Sequence, residues 1–253
     1  TGKKHFFDMA DSICRKYNLK NGLAIDIGSN VGVLLEGFKK NGLNVLGIDA
    51  APKIVDIANK RGIETWRGFI NPEIARKIIS EKGKAKIVTG TNVFAHIDDK
   101  NGLMESLKII LEDDGIFVIE APYLVELIDK MEYDTIYLDH LEYISVKPLT
   151  RFFEKHGMEI FDVEKYDIHG TSVRIFVSRK GKRKVSDNVG NFLMEEEKYG
   201  IYKKDILDNF SKKVNEHRKE FSELLHDLKK SGKKIIGLSA PAKGNTILNY
   251  CKI

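Results

Sequence analysis

The chain has 253 residues, 42% hydrophobic and 31% charged, enough for one large domain or one domain and part of another. No apolar run approaches the ~20 residues a membrane-spanning helix needs, and the TGKKHFFDMADS opening has no apolar leader core, so no membrane partner is expected. A net charge of +5 is mild, and the lysines are interleaved with acids, which argues against nucleic acid as a partner. Cys14 and Cys251 lie near opposite ends; they form no disulfide framework, fit a reducing cytoplasm and leave no Cys-based zinc site.

Residues 5–17 read as a helix. GLAIDIGSN is an apolar run ending in Gly, a buried strand, and VGVLLEGFKKNG continues as a helix closed by Gly. NVLGIDAA is a second strand, followed by a helix that Pro52 opens. ETWRGFI holds a third strand before a helix from Pro72; KAKIVTGTN is a fourth before a helix over 103–111; GIFVIEAP is a fifth. This alternation implies a doubly wound parallel α/β sheet. After a helix over 148–157, residues 158–170 and 172–181 read as a late antiparallel strand pair, with Val173, Ile175 and Val177 alternating along one face. That ending departs from a symmetric two-half dinucleotide fold.

GKRKVSDN is a polar, basic break and a candidate boundary. Residues 201–234 then carry one long helical pattern, with Ile206, Phe210, Val214, Phe221, Leu224 and Leu228 on a stripe. KKIIGLSAPAKGNTILNYCKI reads as strand, Gly-containing loop and helix. One such unit cannot bury its faces alone, so the chain is expected to be a piece of a longer one.

The first strand ends in Asp26-Ile-Gly28-Ser-Asn30-Val-Gly32. Glycines there permit a tight turn and close backbone approach to a ligand. The spacing is D-x-G-x-x-x-G rather than the G-x-G-x-x-G that cradles a pyrophosphate. The loop therefore suits S-adenosylmethionine, whose amino-acid end lies against such a turn. Asp49 ends the second strand, where a carboxylate can accept both ribose hydroxyls. A nicotinamide cofactor and a vestigial loop are the alternatives. Trp66, Gly68 and Phe69 follow the third strand where an adenine can rest, although Trp66 serves equally as a core aromatic. TGTNVFAHIDD ends the fourth strand, so Asn92 and His96 are placed to meet a ligand; turn capping by Asn92 and packing by His96 are the alternative.

IYLDHLEYIS, residues 136–145, concentrates Tyr137, Asp139, His140, Glu142 and Tyr143 in ten positions. As a strand it would expose or bury an unusual load of titratable groups. Methyl transfer to oxygen or nitrogen often needs only alignment, whereas transfer to carbon needs a carbanion equivalent. A proton beside a carbonyl must leave to a base with a pKa near neutrality, for which His is suited. A donor such as Tyr or His must hold the developing oxyanion, and a carboxylate can orient the imidazole. Tyr137, Asp139, His140 and His96 supply such a set. A surface loop with incidental charges is the alternative.

Taken in order, TNVFAHIDD, EAPYLVELIDKMEYDTIYLDHLEYIS, DIHGTSVRIFVSRKG and SAPAKGNTILNYC resemble the sugar C-methyltransferases that act on nucleotide-linked 4-keto-deoxysugars, over residues 23–253. The resemblance implies a class I S-adenosylmethionine methyltransferase (Rossmann-like) parallel sheet with a late antiparallel pair over residues 1–182. Residues 183–253 would be a helical linker and the first strand–loop–helix of a C-terminal Rossmann-like domain for the nucleotide sugar. It implies S-adenosylhomocysteine as product and methylation at C3 of a TDP-like 4-keto-6-deoxysugar. His140 would be the base, Tyr137 would neighbour the enolate oxygen, His96 would be a second imidazole, and Asn92 would line the same cavity. Residues 240–245, with Ala240, Lys243, Gly244 and Asn245, would lie near the nucleotide. An O- or N-methyltransferase and a non-catalytic S-adenosylmethionine-binding module are the alternatives. The family usually reads Y-H-E-H where this chain has Tyr137-Leu138-Asp139-His140, so the carboxylate is one methylene shorter. The family's N-terminal zinc module of paired C-x-x-C motifs is not among these residues, and zinc enters only through a module before Thr1.

Overall fold

Five apolar strands run parallel in the structure, a computed structural model that describes residues 2–168, 170–238 and 241–253. They are β1 (Leu23–Ile27), β2 (Asn44–Asp49), β3 (Thr65–Arg67), β4 (Ala85–Thr91) and β5 (Leu111–Pro122). All of β1 is buried, as a central strand covered on both faces requires. An antiparallel pair, β6 (Met158–Tyr166) and β7 (Ser172–Arg179), completes the order β3-β2-β1-β4-β5-β7-β6. The last strand in sequence thus lies between β5 and β6, antiparallel to both. This is the expected parallel sheet with its late antiparallel pair. Val173, Ile175 and Val177 do share a face, and the residues between them are buried as well.

Successive side chains on a strand point to opposite faces, and the core divides accordingly. Leu23, Ile25 and Ile27 join a cluster with α4 (Pro72–Lys82), α5 (Lys100–Ile110) and α7 (Val146–Lys155). Ala24, Ile87 and Val118 join another with α1 (Gly2–Lys16) and α2 (Val33–Lys40). The helices start where side chains cap them: Asn71 accepts from the Ile74 N–H to open α4, and Asp99 accepts from the Gly102 N–H to open α5. That cap starts α5 ahead of the expected 103. α3 (Pro52–Lys60) opens on its proline, and α7 begins two residues before Pro148 because the first turn does not need that N–H. The short α6 (Leu124–Asp129) follows β5.

α1 is tied to the sheet by a buried charge cluster. Arg174 Nε and Nη2 donate to Glu120 Oε2 at 2.9 and 2.6 Å, across the β5–β7 register, and His5 Nε2 meets Glu120 Oε1 at 2.6 Å. Burial pushes the Glu120 pKa up, but the His5 hydrogen bond and the Arg174 charge outweigh it and hold it below the ordinary value.

Three expectations change beyond β7. The polar break hides a helix, α8 (Asp187–Tyr199), whose Val189 and Phe192 join the core beside β6. The long helical pattern forms α9 (Lys204–Lys230), in which only Val214 is buried among the described residues. The strand expected in KKIIGL does not form: residues 233–238 carry no strand, and Ile236 and Leu238 are 75% and 96% exposed. A parallel strand gains its hydrogen bonds from a neighbour, and no described strand lies beside it. The helix expected after it is present as α10 (Ala242–Cys251).

Glu196 of α8 is fully buried and binds the start of α7. Its oxygens accept from the N–H groups of Val146 at 2.5 Å and Lys147 at 3.0 Å, and from the hydroxyls of Tyr202 at 2.6 Å and Tyr123 at 3.2 Å. It caps α7 from a distant element. Glu196→Ala leaves these donors without an acceptor at ~1–3 kcal/mol each, partly relieved by water. We expect a net loss of about 3 kcal/mol and a melting temperature lower by roughly 6–12 °C. A calorimetric shift below about 2 °C would contradict this role for the cap.

Candidate active site

The strand order reverses between β1 and β4, which opens a crevice at their carboxyl ends. Gly28 turns the chain away from β1 at φ 68°, and its N–H donates to Ile48 O at 2.8 Å. A Cβ at Gly28 would lie 2.8 Å from Val93 Cγ2, so the turn after β1 and the loop after β4 meet there. Asn30 and Asn92 take the left-handed conformation at φ 50° and 53°, which Asn tolerates better than most residues. Asn30 Oδ1 accepts from the Val31 N–H at 2.7 Å, and the Asn92 N–H donates to Glu120 O at 2.7 Å.

Two cavities flank this waist and share Gly28 and Val93. The first, of about 480 Å³, is lined by Asp49, Gly68, Phe69 and His96, among others. The second, of about 470 Å³, is lined by Asp26, Ser29, Asn30 and Asn92, with Lys3 and Phe6 from α1. Asp49 is held by its own backbone: Oδ2 accepts from the Asn30 N–H and Oδ1 from the Ala51 N–H, both at 2.9 Å. Each oxygen retains a lone pair for a ribose hydroxyl. The buried Ser29 Oγ has no partner among the described residues and packs against Gly47 of β2. A nucleoside end in the first cavity and an amino-acid end in the second fit S-adenosylmethionine.

Asp26 is the electrostatic focus of the second cavity. Its Oδ1 accepts from Thr89 Oγ1 at 2.6 Å. Burial pushes its pKa up to about 7; the Thr89 hydrogen bond opposes this, and the Asp49 charge adds to it. A cationic ammonium beside it would favour the ionised form.

The loop with Tyr137, Asp139 and His140 forms no strand and reaches the sheet through one parallel bridge, Tyr123 to Ile144. His140 Nδ1 lies 2.7 Å from Thr135 O, and His96 Nδ1 lies 2.6 Å from Asp139 O. A carbonyl only accepts, so each Nδ1 carries a proton, and in the neutral form of either ring the lone pair lies on Nε2. The His140 ring lies 4.9 Å from that of His96, 4.2 Å from Tyr137 and 6.2 Å from Tyr143. The Leu141 N–H donates to Ala95 O at 3.0 Å and joins this loop to the one carrying His96.

Burial pushes the His140 pKa below its ordinary 6.5; the Thr135 bond opposes this, the His96 and Lys243 charges add to it, and Asp139 acts against it. The imidazole is therefore neutral at pH 7. Burial, followed by Asp139 and Asp134, raises the Tyr137 pKa, so the phenol keeps its proton.

The expected residues thus assemble unequally. Asp26, Gly28, Asn30, Asp49, Gly68, Phe69, Asn92 and His96 line the two cavities, His140 adjoins His96, and Tyr137 adjoins His140. Gly32 lines neither; its φ of 77° opens α2, and a Cβ there would meet Ile63 Cγ2 at 2.7 Å. Trp66 also lines neither; it packs against the core and donates to Glu64 Oε1 at 3.1 Å. The Asp139 carboxylate is exposed and hydrogen-bonds to no described residue, so Thr135 O orients His140 in its place. Lys243, Gly244 and Asn245 form the first turn of α10, and the Lys243 charge reaches His140. Ala240 lies outside the described residues. Thr135, Val93 and Lys3 escaped sequence reading because they act through a carbonyl, a methyl contact and a remote helix.

Comparison with known proteins agrees with this geometry. A family model described as a methyltransferase domain matches residues 9–163, and one described as a C-methyltransferase C-terminal domain matches residues 167–253. The chain is 33% identical over 250 residues to the C-methyltransferase NovU of Streptomyces niveus, covering 98% of this chain and 60% of that protein. It is 21% identical over 156 residues to a ubiquinone biosynthesis O-methyltransferase of Cupriavidus pinatubonensis, covering 55% of this chain and 61% of that protein. The chain thus spans about 60% of the length of these curated relatives. In fold it resembles magnesium protoporphyrin IX methyltransferase from Synechocystis PCC 6803 with bound SAH, at TM-score 0.55 and 14% identity, covering 71% and 84% of the two chains. It also resembles an S-adenosylmethionine-dependent methyltransferase from Clostridium acetobutylicum, at TM-score 0.54 and 13% identity, covering 70% and 92%.

The Asp26 environment links cofactor affinity to pH. The folded pKa of about 7 exceeds the ordinary 3.8, so ionised Asp26 costs the ligand-free protein stability as pH rises between those values. At about pH 8, Asp26→Asn is expected to raise stability by roughly 1–3 kcal/mol and to weaken S-adenosylmethionine binding about tenfold or more. Wild-type affinity should fall as pH drops through about 7, and that of the Asn variant should stay flat. Calorimetric titration across pH tests both; equal affinity of the two proteins at about pH 8 would remove Asp26 from the site.

Proposed function

We propose that this chain, which belongs to the methyltransferase family whose domain model matches residues 9–163, is an S-adenosylmethionine-dependent C-methyltransferase acting on C3 of a nucleotide-linked (TDP-like) 4-keto-6-deoxysugar. The observation that carries the reading is His140: a neutral imidazole, with Nδ1–H fixed on Thr135 O and Nε2 free, beside a protonated phenol and an imidazole of the cofactor cavity. Transfer to oxygen or nitrogen often needs only alignment, whereas transfer to a carbon beside a ketone needs both base and donor.

S-adenosylmethionine, when bound, supplies an electrophilic methyl group. Asp49 would take its ribose, Gly68 and Phe69 its adenine, and Asp26, Asn30 and Asn92 its amino-acid end. His140 Nε2 removes the C3 proton, and the electron pair moves into the C3–C4 bond as the C4 oxygen gains charge. Tyr137 OH donates to that oxygen. His96, with its own Nδ1 engaged by Asp139 O, presents Nε2 to the same space. The Asp139 side chain, turned to solvent, is available for a sugar hydroxyl.

Residues 183–253 are then the beginning of the unit that grips the nucleotide. Lys243, Gly244 and Asn245 sit on the first turn of a ten-residue helix, where free N–H groups and a lysine favour a diphosphate. Both cysteines are free thiols, in keeping with a cytoplasmic enzyme.

The test is proton washout. With a TDP-4-keto-6-deoxysugar in D2O, the protein should exchange the C3 proton and, with cofactor, yield a product one methylene heavier. His140→Ala should slow exchange by about a hundredfold or more. The acid limb of the wild-type rate should lie below pH 6.5, because the base works unprotonated and burial depresses its pKa. Full methylation by His140→Ala would point instead to an oxygen or nitrogen acceptor.

A further inference from the structure

His140 is oriented by a carbonyl of a turn that belongs to neither helix nor sheet. The turn, Tyr133–Thr135, is a single 3-10 segment. Thr135 O accepts from His140 Nδ1 at 2.7 Å and from the Tyr137 N–H at 3.2 Å. Within the turn, Thr135 Oγ1 donates to Glu132 O at 2.8 Å and the Ile136 N–H to Tyr133 O at 3.0 Å. These short-range bonds close the turn on itself and do not fix it to the protein. A carbonyl selects a tautomer only while it stays aimed at the ring nitrogen.

What fixes it is the layer formed by α9 and α10. Tyr133 is 6% exposed, and its hydroxyl is hydrogen-bonded to His217 Nδ1 on α9 at 2.8 Å. Burial pushes the Tyr133 pKa up to about 12, so the phenol holds its proton. His217 is itself stacked on Phe221, with centroids 5.9 Å apart and planes inclined by 12°. The Tyr133 ring meets Tyr250 of α10 edge-on at 5.7 Å, and Tyr250 OH donates to Asn215 Oδ1 on α9 at 3.1 Å. α9 and α10 are thus joined to each other and to the turn at one residue.

We propose that Tyr133 is a positioning residue for His140: its hydroxyl, seated on His217, aims the Thr135 carbonyl and so selects the Nδ1–H tautomer that frees Nε2. This rests on the reading of His140 as base, but its physical content is the tautomer. The helices that begin the nucleotide-binding unit would thereby set the proton-accepting nitrogen on the other side of the turn.

The tautomer is measured by 15N NMR of the imidazoles in the full 253-residue protein, without substrate. Wild-type His140 should be almost wholly Nδ1–H. Tyr133→Phe and His217→Phe should each raise the Nε2–H population severalfold, and His217→Asn, whose side-chain amide can keep a hydrogen bond to the Tyr133 hydroxyl, should restore it. The double Phe variant should be no worse than either single one, as for groups acting through one bond. In C3 exchange, both Phe variants should lose about tenfold in kcat, with a larger primary deuterium isotope effect and KM and cofactor affinity within about twofold. An unchanged His140 tautomer in folded Tyr133→Phe and His217→Phe would overturn the proposal. Absence of exchange by the wild type would count against the sugar reading and leave the tautomer result intact.

Discussion

Everything at the site depends on one topological constraint. A sheet with helices on both faces has no surface to offer except its strand ends, and the carboxyl ends separate only where the strand order reverses. Here that is between β1 and β4, and the two segments leaving it meet where Val93 fills the space of the absent Gly28 side chain. Their contact divides the crevice into two compartments of nearly equal size. The ligand that fits is long and chemically different at its ends, and the reacting group belongs at the junction.

Both imidazoles are pinned by backbone carbonyls rather than carboxylates. The difference is electrostatic. A carboxylate on Nδ1 fixes the tautomer but also stabilises the imidazolium, and so raises the pKa. A carbonyl fixes the tautomer with a smaller rise, and at His140 burial outweighs it. The imidazole stays neutral without losing its orientation. The shorter Asp139 side chain is exposed, its carbonyl holds His96, and the His140 hydrogen bond goes to Thr135 O instead of the carboxylate.

The sheet was legible because central parallel strands are continuous apolar runs, and the residues lining the two cavities because they follow the ends of those runs. Asp26, Gly28, Asp49 and His96 needed only the rule that ligands collect at carboxyl ends. What escaped was whatever acts without a side-chain signature or against local composition. Thr135 contributes a carbonyl that any residue has. α8 begins in a polar break, and its few buried positions, Val189, Phe192 and Glu196, emerge only against a sheet they do not predict. Ile235, Ile236 and Leu238 have the composition of a strand, but strand formation depends on a neighbour that local sequence does not describe. Trp66, expected after the third strand, lies within it, because neither the bounds nor the parity of a three-residue edge strand are strongly marked in sequence.

The placement of β7 sets an order on assembly. It is the last strand made, yet it pairs with β5 over residues 117–122 and with β6 over residues 158–166. Until it inserts, β5 is an open edge, Glu120 lacks Arg174, and α1 lacks the strand that completes its seat. Such long-range pairing carries a loop-closure entropy cost before contacts repay it. The transient species to expect is a five-stranded parallel sheet with one unprotected edge. That edge is the surface through which two nascent copies would pair by mistake, and the arrival of the arginine in β7 both neutralises the buried glutamate and closes it.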